Sequence, residues 1–182
     1  MKLQVDETIC LRFLEVMDAE TLLNLVNKNR EYLRQWLTWV DNMQSVDNFK
    51  NYITDCNKRA ADKSDFGFAI LFDDKLVGCI GLHHINHQNR IGEIGYWLAD
   101  GMQGKGIVTK CCTAIMKLGF TELGLNRIEI KCGVGNYRSV AIAKKLKFNK
   151  EGILQQAEWL NGKFIDLHLY ALLREDWVKY HI

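Results

Sequence analysis

Two glycines and a lysine meet the start of a helical pattern in the segment DGMQGKGIVTKCCTAIMKLGF, residues 100–120. The first N–H groups of a helix have no partner inside the helix, and the helix dipole favours negative charge at that end. Glycine lets an anion approach the backbone where a Cβ would obstruct it. Lys105 adds a cation, and Thr109 adds a hydroxyl one turn into the helix. The segment therefore predicts an anion site, or else a glycine turn that only reverses the chain.

A carboxylate on a neighbouring predicted strand is the candidate general base. Glu93 lies in RIGEIGYWL, residues 90–98, and strand alternation points its side chain the same way as Ile91 and Trp97. A partly apolar setting of this kind suits a carboxylate that takes up protons near neutral pH. The alternative is an exposed strand carboxylate with no role in chemistry.

Three histidines, His83, His84 and His87, stand close together in the sequence and could suggest zinc. No fourth ligand has suitable spacing for a zinc site. The sequence therefore predicts no metal, and any chemistry must come from ordinary side chains.

The elements that position these residues alternate between strand and helix. Strand patterns are predicted at 7–14, 90–98 and 125–134, with hairpins turning at Asp73-Asp74 and at Asn161-Gly162. Helices are predicted from Asp18 through Trp36, after Ser45, from the glycine loop to about Thr121, and over 136–146. This order predicts a mixed α/β (α+β) fold, in which a mostly antiparallel sheet carries helices on its faces and ends in a C-terminal hairpin.

Composition restricts the class of protein further. Lys plus Arg number 24 against 22 Asp plus Glu, so the net charge of +2 gives no general attraction for nucleic acid. The six cysteines show no CxxC motif, the N-terminus lacks the apolar region of a signal peptide, and no apolar run could span a membrane. We expect a single domain over 1–182 that is soluble and cytoplasmic, with no direct nucleic-acid or membrane partner. Assembly into a homo-oligomer is left open.

The glycine loop lacks the two familiar phosphate motifs, because it contains no GxxxxGK[ST] and no GxGxxG follows Gly104. Its sequence Gln103-Gly104-Lys105-Gly106-Ile107-Val108 instead resembles the Q/R-x-x-G-x-G/A signature of the GNAT acetyltransferases, with Val108 departing at the last position. GEIGYWLAD before the loop and LNRIEIKCGVGNYRSVAIAKKLKF after it follow the order and spacing of that family. The pattern is similar to the branch that acetylates the N-termini of ribosomal proteins, and the resemblance covers nearly the whole chain.

The resemblance implies the GNAT fold and acetyl-CoA as co-substrate, without a metal. It assigns the pyrophosphate of acetyl-CoA to the loop, and the pantetheine arm to Asn136, whose alternative role is only to cap a helix. It also implies that a backbone N–H near Trp97 and Leu98, where the family's sheet opens, meets the oxyanion. The cofactor-binding residues expected on these grounds are Trp97, Leu98, Gln103, Gly104, Lys105, Gly106, Ile107, Val108, Thr109 and Asn136.

The resemblance also implies a general acid for the leaving thiolate. Many GNAT enzymes use a tyrosine seven residues after the asparagine, but this chain has Ala143 there. Ser139 lies one turn earlier on the same helix face, and the similar branch uses a serine in this way. Glu93 and Ser139 are therefore the predicted catalytic residues.

Three functions remain for a chain of this kind. The first is an N-acetyltransferase acting on the α-amine of a protein, most directly a ribosomal protein. The second is an acetyltransferase for a small amine, such as a polyamine or an antibiotic, and the third is a non-catalytic acyl-CoA sensor. Tyr32, Trp36 and Trp39 fall where the family forms its acceptor groove, although core and rim positions suit them better than a dedicated recognition role.

Overall fold

The computed structural model describes residues 1–181, and within them eight strands form one sheet. The strands are β1 (Lys2–Gln4), β2 (Ile9–Phe13), β3 (Phe66–Phe72), β4 (Lys75–Asn86), β5 (Ile91–Leu98), β6 (Arg127–Gly133), β7 (Asn149–Leu160) and β8 (Lys163–Leu173). Their order across the sheet is β1-β2-β3-β4-β5-β6-β8-β7. The neighbours pair antiparallel except for β5 and β6, which are parallel. The expected mixed, mostly antiparallel sheet with a C-terminal hairpin is confirmed.

The helices are α1 (Ala19–Lys28), α2 (Arg30–Leu33), α3 (Val46–Ala61), α4 (Ile107–Lys117), α5 (Tyr137–Lys145) and α6 (Arg174–His181). A π-helical turn, Leu118–Glu122, extends α4. Helices α1 and α3 pack on one face of the sheet through a cluster that includes Leu22 and Ile53. Helices α4 and α5 pack on the other face through the larger cluster. Helices therefore cover both faces, and the sheet is buried between them.

Local sequence explains the elements that were predicted correctly. Ser45 caps α3 in a capping box, accepting a hydrogen bond from the Asn48 N–H at 3.1 Å while the Asn48 side chain returns to the Ser45 N–H at 3.0 Å. Both residues of the Asp73-Asp74 turn have positive φ, as a two-residue hairpin requires. The same holds at Asn161-Gly162 between β7 and β8.

The single helix predicted from Asp18 through Trp36 is wrong. The chain leaves helical geometry at Asn29, with φ −119° and ψ 12°, so α1 ends at Lys28 and α2 begins at Arg30. The Asn29 side chain donates to the Leu25 carbonyl at 2.7 Å, replacing a backbone bond lost at the break. Asp18 precedes α1 as predicted, but its carboxylate binds the Arg12 guanidinium instead of capping the helix. Strand β1 and helix α6 were not predicted.

Candidate active site

The central feature of the site is a gap between two parallel strands. Strands β5 and β6 pair only over their first residues, from Ile91 opposite Arg127 to Glu93 opposite Glu129. Strand β5 continues to Leu98 and β6 to Gly133 without further pairing. The strands therefore separate after Glu93, and the predicted opening of the sheet lies at this point.

Successive side chains of β5 point to opposite faces of the sheet. Glu93 and Trp97 point to the face covered by α1 and α3, where Trp97 packs against Trp39 with ring centroids 5.9 Å apart. Tyr96 points to the face covered by α4 and α5 and belongs to the core cluster there. We call these the α1–α3 face and the α4–α5 face.

Glu93 on the α1–α3 face is held by a lysine. Its Oε2 accepts a hydrogen bond from Lys131 Nζ at 2.8 Å, and Glu129 Oε2 lies 3.5 Å from the same nitrogen. Burial opposes the charge of Lys131, but the hydrogen bond and charge of Glu93 raise the pKa of the lysine overall. The sequence predicts a partly apolar setting for Glu93, but the carboxylate lies in a half-buried ion pair. The side chain of Glu93 is 24% exposed and that of Lys131 is 31% exposed.

A second carboxylate lies near Glu93. Glu158 sits on β7 opposite Ile165, beside a bulge in the hairpin. Burial raises the pKa of its carboxyl, and the charge of Glu93 adds to the rise. A carboxyl with a raised pKa close to the candidate base is a further group able to exchange protons at this face.

Aromatic rings form one side of the gap on the α1–α3 face. A Cβ built on Gly133 would lie 2.8 Å from Trp36 Cζ3, so the indole packs directly on the backbone at the end of β6. A Cβ on Gly135 would lie 3.5 Å from the same ring. Of the predicted groove residues, Trp36 and Trp39 therefore border the gap, while Tyr32 accepts a hydrogen bond from Gln103 Nε2 at 3.0 Å.

Ser139 lies at the start of α5 on the α4–α5 face. Its Oγ is 2.7 Å from the hydroxyl of Tyr96, which reaches across the gap from β5. Ser139 is 9% exposed, and burial raises the pKa of Tyr96 well above its usual range, so the phenol stays neutral. The adjacent Cys132 thiol also has a raised pKa because it is buried, an effect opposed by its hydrogen bond to Ser139.

Asn136 caps the helix that carries Ser139. Its Oδ1 accepts from the Ser139 N–H at 3.2 Å, and its own N–H donates to the Gly133 carbonyl at 2.9 Å. The side chain thus has the capping role given above as the alternative. Contact with a pantetheine arm stays a prediction.

The glycine loop leaves space at the start of α4. Gly106 is the N-cap of α4, with φ 75° and ψ 3°, and Gly104 has φ 78°. A Cβ built on either glycine would meet no atom within 4 Å, so the space above the loop is open where an anion would approach. Ile107 and Val108 are buried, and Val108 packs in the core where the family signature has a smaller residue.

Two side chains of the loop turn toward the protein. Gln103 Oε1 accepts from the Gly101 N–H at 2.8 Å, and its amide donates to the Ala99 carbonyl at 2.9 Å and to Tyr32. Lys105 Nζ lies over the ring of Phe72, 5.2 Å from its centroid. Thr109 lies in the first turn of α4. Gln103 therefore braces the loop, and the direct anion contacts available are chiefly backbone N–H groups.

The direction of the backbone on β5 selects between the two predicted oxyanion donors. The Ala99 N–H donates to the Val77 carbonyl of β4, and alternate residues of a strand point their backbone groups to opposite edges. The Trp97 N–H therefore faces β4, whereas the N–H groups of Tyr96 and Leu98 face the gap. The N–H of Leu98 therefore fits the predicted role of oxyanion donor. Trp97 instead places its indole ring against Trp39 on the α1–α3 face.

Over residues 1–181, no group of three or more His, Cys, Asp or Glu side chains is arranged to hold a metal ion. No helix in the same range is both long and apolar enough to cross a bilayer.

The family model of the acetyltransferase (GNAT) domain matches residues 8–149, which include the gap, the glycine loop and Ser139. The chain is a GNAT acetyltransferase. Among curated relatives, it is 38% identical over 175 residues to the putative ribosomal N-acetyltransferase YdaF of Bacillus subtilis (strain 168), covering 96% of each chain. It is 33% identical over 172 residues to the ribosomal-protein-serine acetyltransferase of Escherichia coli (strain K12), covering 93% of this chain and 94% of the relative.

Solved structures agree with this assignment. RimL, described as a ribosomal L7/L12 α-N-protein acetyltransferase in complex with coenzyme A, superposes with a TM-score of 0.93 at 28% identity, covering 97% of this chain and 99% of RimL. At lower identity, the spermidine N(1)-acetyltransferase of Escherichia coli (strain K12) matches 174 residues at 26%, covering 96% of this chain and 90% of that enzyme. As a GNAT acetyltransferase, the protein uses acetyl-CoA as co-substrate.

The sequence did not reveal four residues of this site. The sequence does not pair Tyr96 with Ser139 or Lys131 with Glu93, although strand alternation puts each on the correct face. Glu158 lies in the predicted hairpin, but its proximity to Glu93 depends on the sheet order. The sequence suggests His83 only as a metal ligand, and in the fold its ring binds Asp65.

Proposed function

We propose that this GNAT acetyltransferase transfers the acetyl group to the N-terminal α-amine of a protein, most directly a ribosomal protein. The observation that carries the proposal is the arrangement of proton-transfer groups about the gap between β5 and β6. Glu93 lies on the α1–α3 face and Ser139 on the α4–α5 face. An amine arriving from one face and a thiolate leaving on the other would each meet a suitable group.

The reaction follows from this arrangement. Glu93 acts as the general base for the attacking amine, and the new C–N bond gives a tetrahedral intermediate. The N–H of Leu98 stabilises the oxyanion of that intermediate. When the C–S bond breaks, Ser139 gives its proton to the sulfur, and CoA leaves as the thiol. Asn136 holds the N-terminus of α5 and contacts the pantetheine arm, while the loop of Gly104 and Gly106 holds the pyrophosphate.

The chemistry favours an α-amine over a lysine side chain. An α-amine has an ordinary pKa of about 7.7–8.0, so roughly a tenth of it is neutral at pH 7, whereas lysine at about 10.4 is almost wholly charged. A thiol has an ordinary pKa of about 8.5, so its thiolate leaves without a strong acid. One serine and a carboxylate held in an ion pair suit such an amine.

The small-amine alternative rests on a specific observation, since the spermidine acetyltransferase is also a relative. Polyamines carry several positive charges and would be held best by a strongly acidic surface. The α1–α3 face instead carries charges of both signs, with Lys131 between Glu93 and Glu129. Because Lys131 neutralises part of this negative charge, the face suits a singly charged peptide terminus better than a multiply charged polyamine. A purely acyl-CoA-sensing role would leave the paired Ser139 and Tyr96 hydroxyls without a purpose.

The test is a thiol-release assay with acetyl-CoA and four kinds of acceptor. These are a peptide beginning with Ser or Ala and carrying one internal lysine, the same peptide with a blocked α-amine, spermidine, and an aminoglycoside. We expect turnover with the free peptide alone, and mass spectrometry should locate the acetyl group on the α-amine. Turnover of the blocked peptide, or turnover of spermidine without turnover of the free peptide, would contradict the proposal. If no acceptor leads to thiol release, the result supports the acyl-CoA sensor instead.

A further inference from the structure

Three glycines stand side by side across the α1–α3 face, because Gly67 pairs with Gly81 and Gly81 pairs with Gly95. The imidazole of His83 lies over two of them. A Cβ built on Gly81 would be 2.3 Å from both Cε1 and Nε2 of the ring, and a Cβ on Gly95 would be 3.1 Å from Cδ2. The ring therefore lies against the backbone of β4 and β5, in space that a side chain at residue 81 would fill.

Asp65 fixes the orientation of this ring. His83 Nδ1 lies 2.9 and 3.0 Å from the two carboxylate oxygens of Asp65, whose side chain is only 10% exposed. A carboxylate has no proton to donate, so Nδ1 carries the hydrogen and the neutral ring keeps its lone pair on Nε2. Among residues 1–181, no hydrogen bond engages Nε2, and it is not one of the buried unpaired atoms. Nε2 is thus an accessible proton acceptor.

The ring extends from β4 over Gly95 of β5, the strand that borders the gap. His83 is the cross-strand partner of Glu93, and such partners have Cβ atoms about 5 Å apart. Gly95, beneath the ring, comes two residues after Glu93, where β5 has already separated from β6. Two further charged groups lie near the ring. These are Asp65, which directly precedes β3, and Arg59 of α3, whose Nε lies 3.9 Å from the Asp65 carboxylate.

We propose that the Asp65–His83 pair is a second proton acceptor for the acceptor amine, working beside Glu93. The inference rests on the proposed function, since it needs an amine that arrives protonated on the α1–α3 face. An ammonium must lose two protons to become an amide, one before the C–N bond forms and one after. One oxygen of Glu93 already accepts from Lys131, so a neighbouring base relieves it of one of these transfers.

The proton balance is complete with the groups named. The ammonium gives its first proton to His83 Nε2, and the imidazolium is held against the Asp65 carboxylate. The neutral amine attacks the thioester carbonyl, and the nitrogen gives its second proton to Glu93. The C–S bond breaks, and the sulfur takes a proton from Ser139, which is reprotonated from solvent. His83 and Glu93 return their two protons to solvent, so one proton is released in net for each acetyl group transferred.

The test compares His83→Gln and Asp65→Asn with wild type, using the free-terminus peptide as acceptor. His87→Gln is the matched control, because His87 lies just after β4 and its Nε2 contacts the Lys63 carbonyl at 2.8 Å rather than the Asp65 carboxylate. The Asn in Asp65→Asn can donate to Nδ1, which would move the ring proton to Nε2 and remove the acceptor. We expect both site variants to lose about ten- to a hundredfold in kcat/KM for the peptide near pH 6.5. The KM for acetyl-CoA and the activity of His87→Gln should not change.

The pH dependence separates proton transfer from a structural role. Above about pH 8.5 the α-amine is already mostly neutral, so the deficit of both site variants should shrink as the pH rises. A deficit that is constant across pH, a loss of acetyl-CoA binding in His83→Gln, or full activity at all pH values would each overturn the inference. If wild type acetylates none of the peptides, the proposed function fails first, which is a different result from full activity in the variants.

Discussion

The hydrogen bond between Tyr96 and Ser139 determines which proton the serine can release. A phenol is more acidic than an alcohol, and burial keeps Tyr96 in its neutral form, so the tyrosine is the better donor of the two. With its oxygen accepting from Tyr96, Ser139 keeps its own proton, which can turn from the Cys132 thiol to the leaving sulfur. Tyr96 then also stabilises the negative charge that develops on the serine oxygen. Tyr96 is therefore a positioning residue in the proposed mechanism, acting through Ser139.

Variants of the two hydroxyls should reduce the rate to different extents. Ser139→Ala should lower kcat by about ten- to a hundredfold, at the low end for a general acid because a thiolate leaves readily. Tyr96→Phe should lower kcat by about three- to tenfold, as expected for one neutral hydrogen bond. Steady-state kinetics at saturating peptide would measure both. A rise in the KM for acetyl-CoA with kcat unchanged would mean that Ser139 only holds the co-substrate.

At this scale the sequence could predict residues that belong to a motif, but not their partners. Asn136 and Ser139 follow a strand and open a helix, so local rules and the family pattern both select them. The partners Tyr96 and Lys131 lie 43 and 38 residues away from Ser139 and Glu93 respectively. Such pairs require the strand order, which no local pattern contains.

In the proposed function, the glycine loop and the start of α4 bind the pyrophosphate of the co-substrate. Gly106 has φ 75°, in the left-handed region where other residues are strained, and the space beside it is open. A substitution there has two effects, because it strains the turn and fills the space that an anion would occupy. A control variant must strain a turn in the same way without filling the space proposed for the anion.

Gly124 provides that control. It has φ 65°, also with no atom within 4 Å of a built Cβ, and it follows the π-helical turn at the far end of α4. Gly106→Ala and Gly124→Ala should each lose about 1–2 kcal/mol of stability, measured by thermal unfolding. Calorimetry should show weaker acetyl-CoA binding only in Gly106→Ala. Equal affinities in the two variants would contradict the assignment of the pyrophosphate to this loop.

At the scale of elements, the sequence predicted what short-range chemistry determines. The hairpins at Asp73-Asp74 and Asn161-Gly162 and the cap at Ser45 follow from turn and capping preferences. The break at Asn29 could not be predicted, because the apolar spacing continues through it and only a side-chain bond to Leu25 marks it. Strand β1 has three residues and depends on pairing with β2, so it has little pattern of its own.

At the scale of the whole molecule, the sheet separates two faces, and these are connected through the gap between β5 and β6. Helices cover both faces of the sheet. Side chains from both faces can reach a group that lies in the gap between β5 and β6. The hairpin of β7 and β8 is tied to the helical side, since Asn161 Nδ2 donates to the Arg34 carbonyl at 2.8 Å. Trp36, two residues later, packs on Gly133 at the end of β6. The acceptor side is thus assembled from distant parts of the chain.

In the proposed mechanism, the amine and the thiolate use opposite faces of this gap. The most direct measurement is a crystal structure with a bisubstrate analogue, in which the sulfur of CoA is joined through an acetyl linker to the α-nitrogen of a Ser-initiated peptide. We expect the peptide on the α1–α3 face, with its nitrogen near Glu93 and His83 and its chain beside Trp36. The sulfur should lie within hydrogen-bonding distance of Ser139 Oγ on the α4–α5 face. A complex in which peptide and CoA enter from the same face, or in which the sulfur is far from Ser139, would contradict the account.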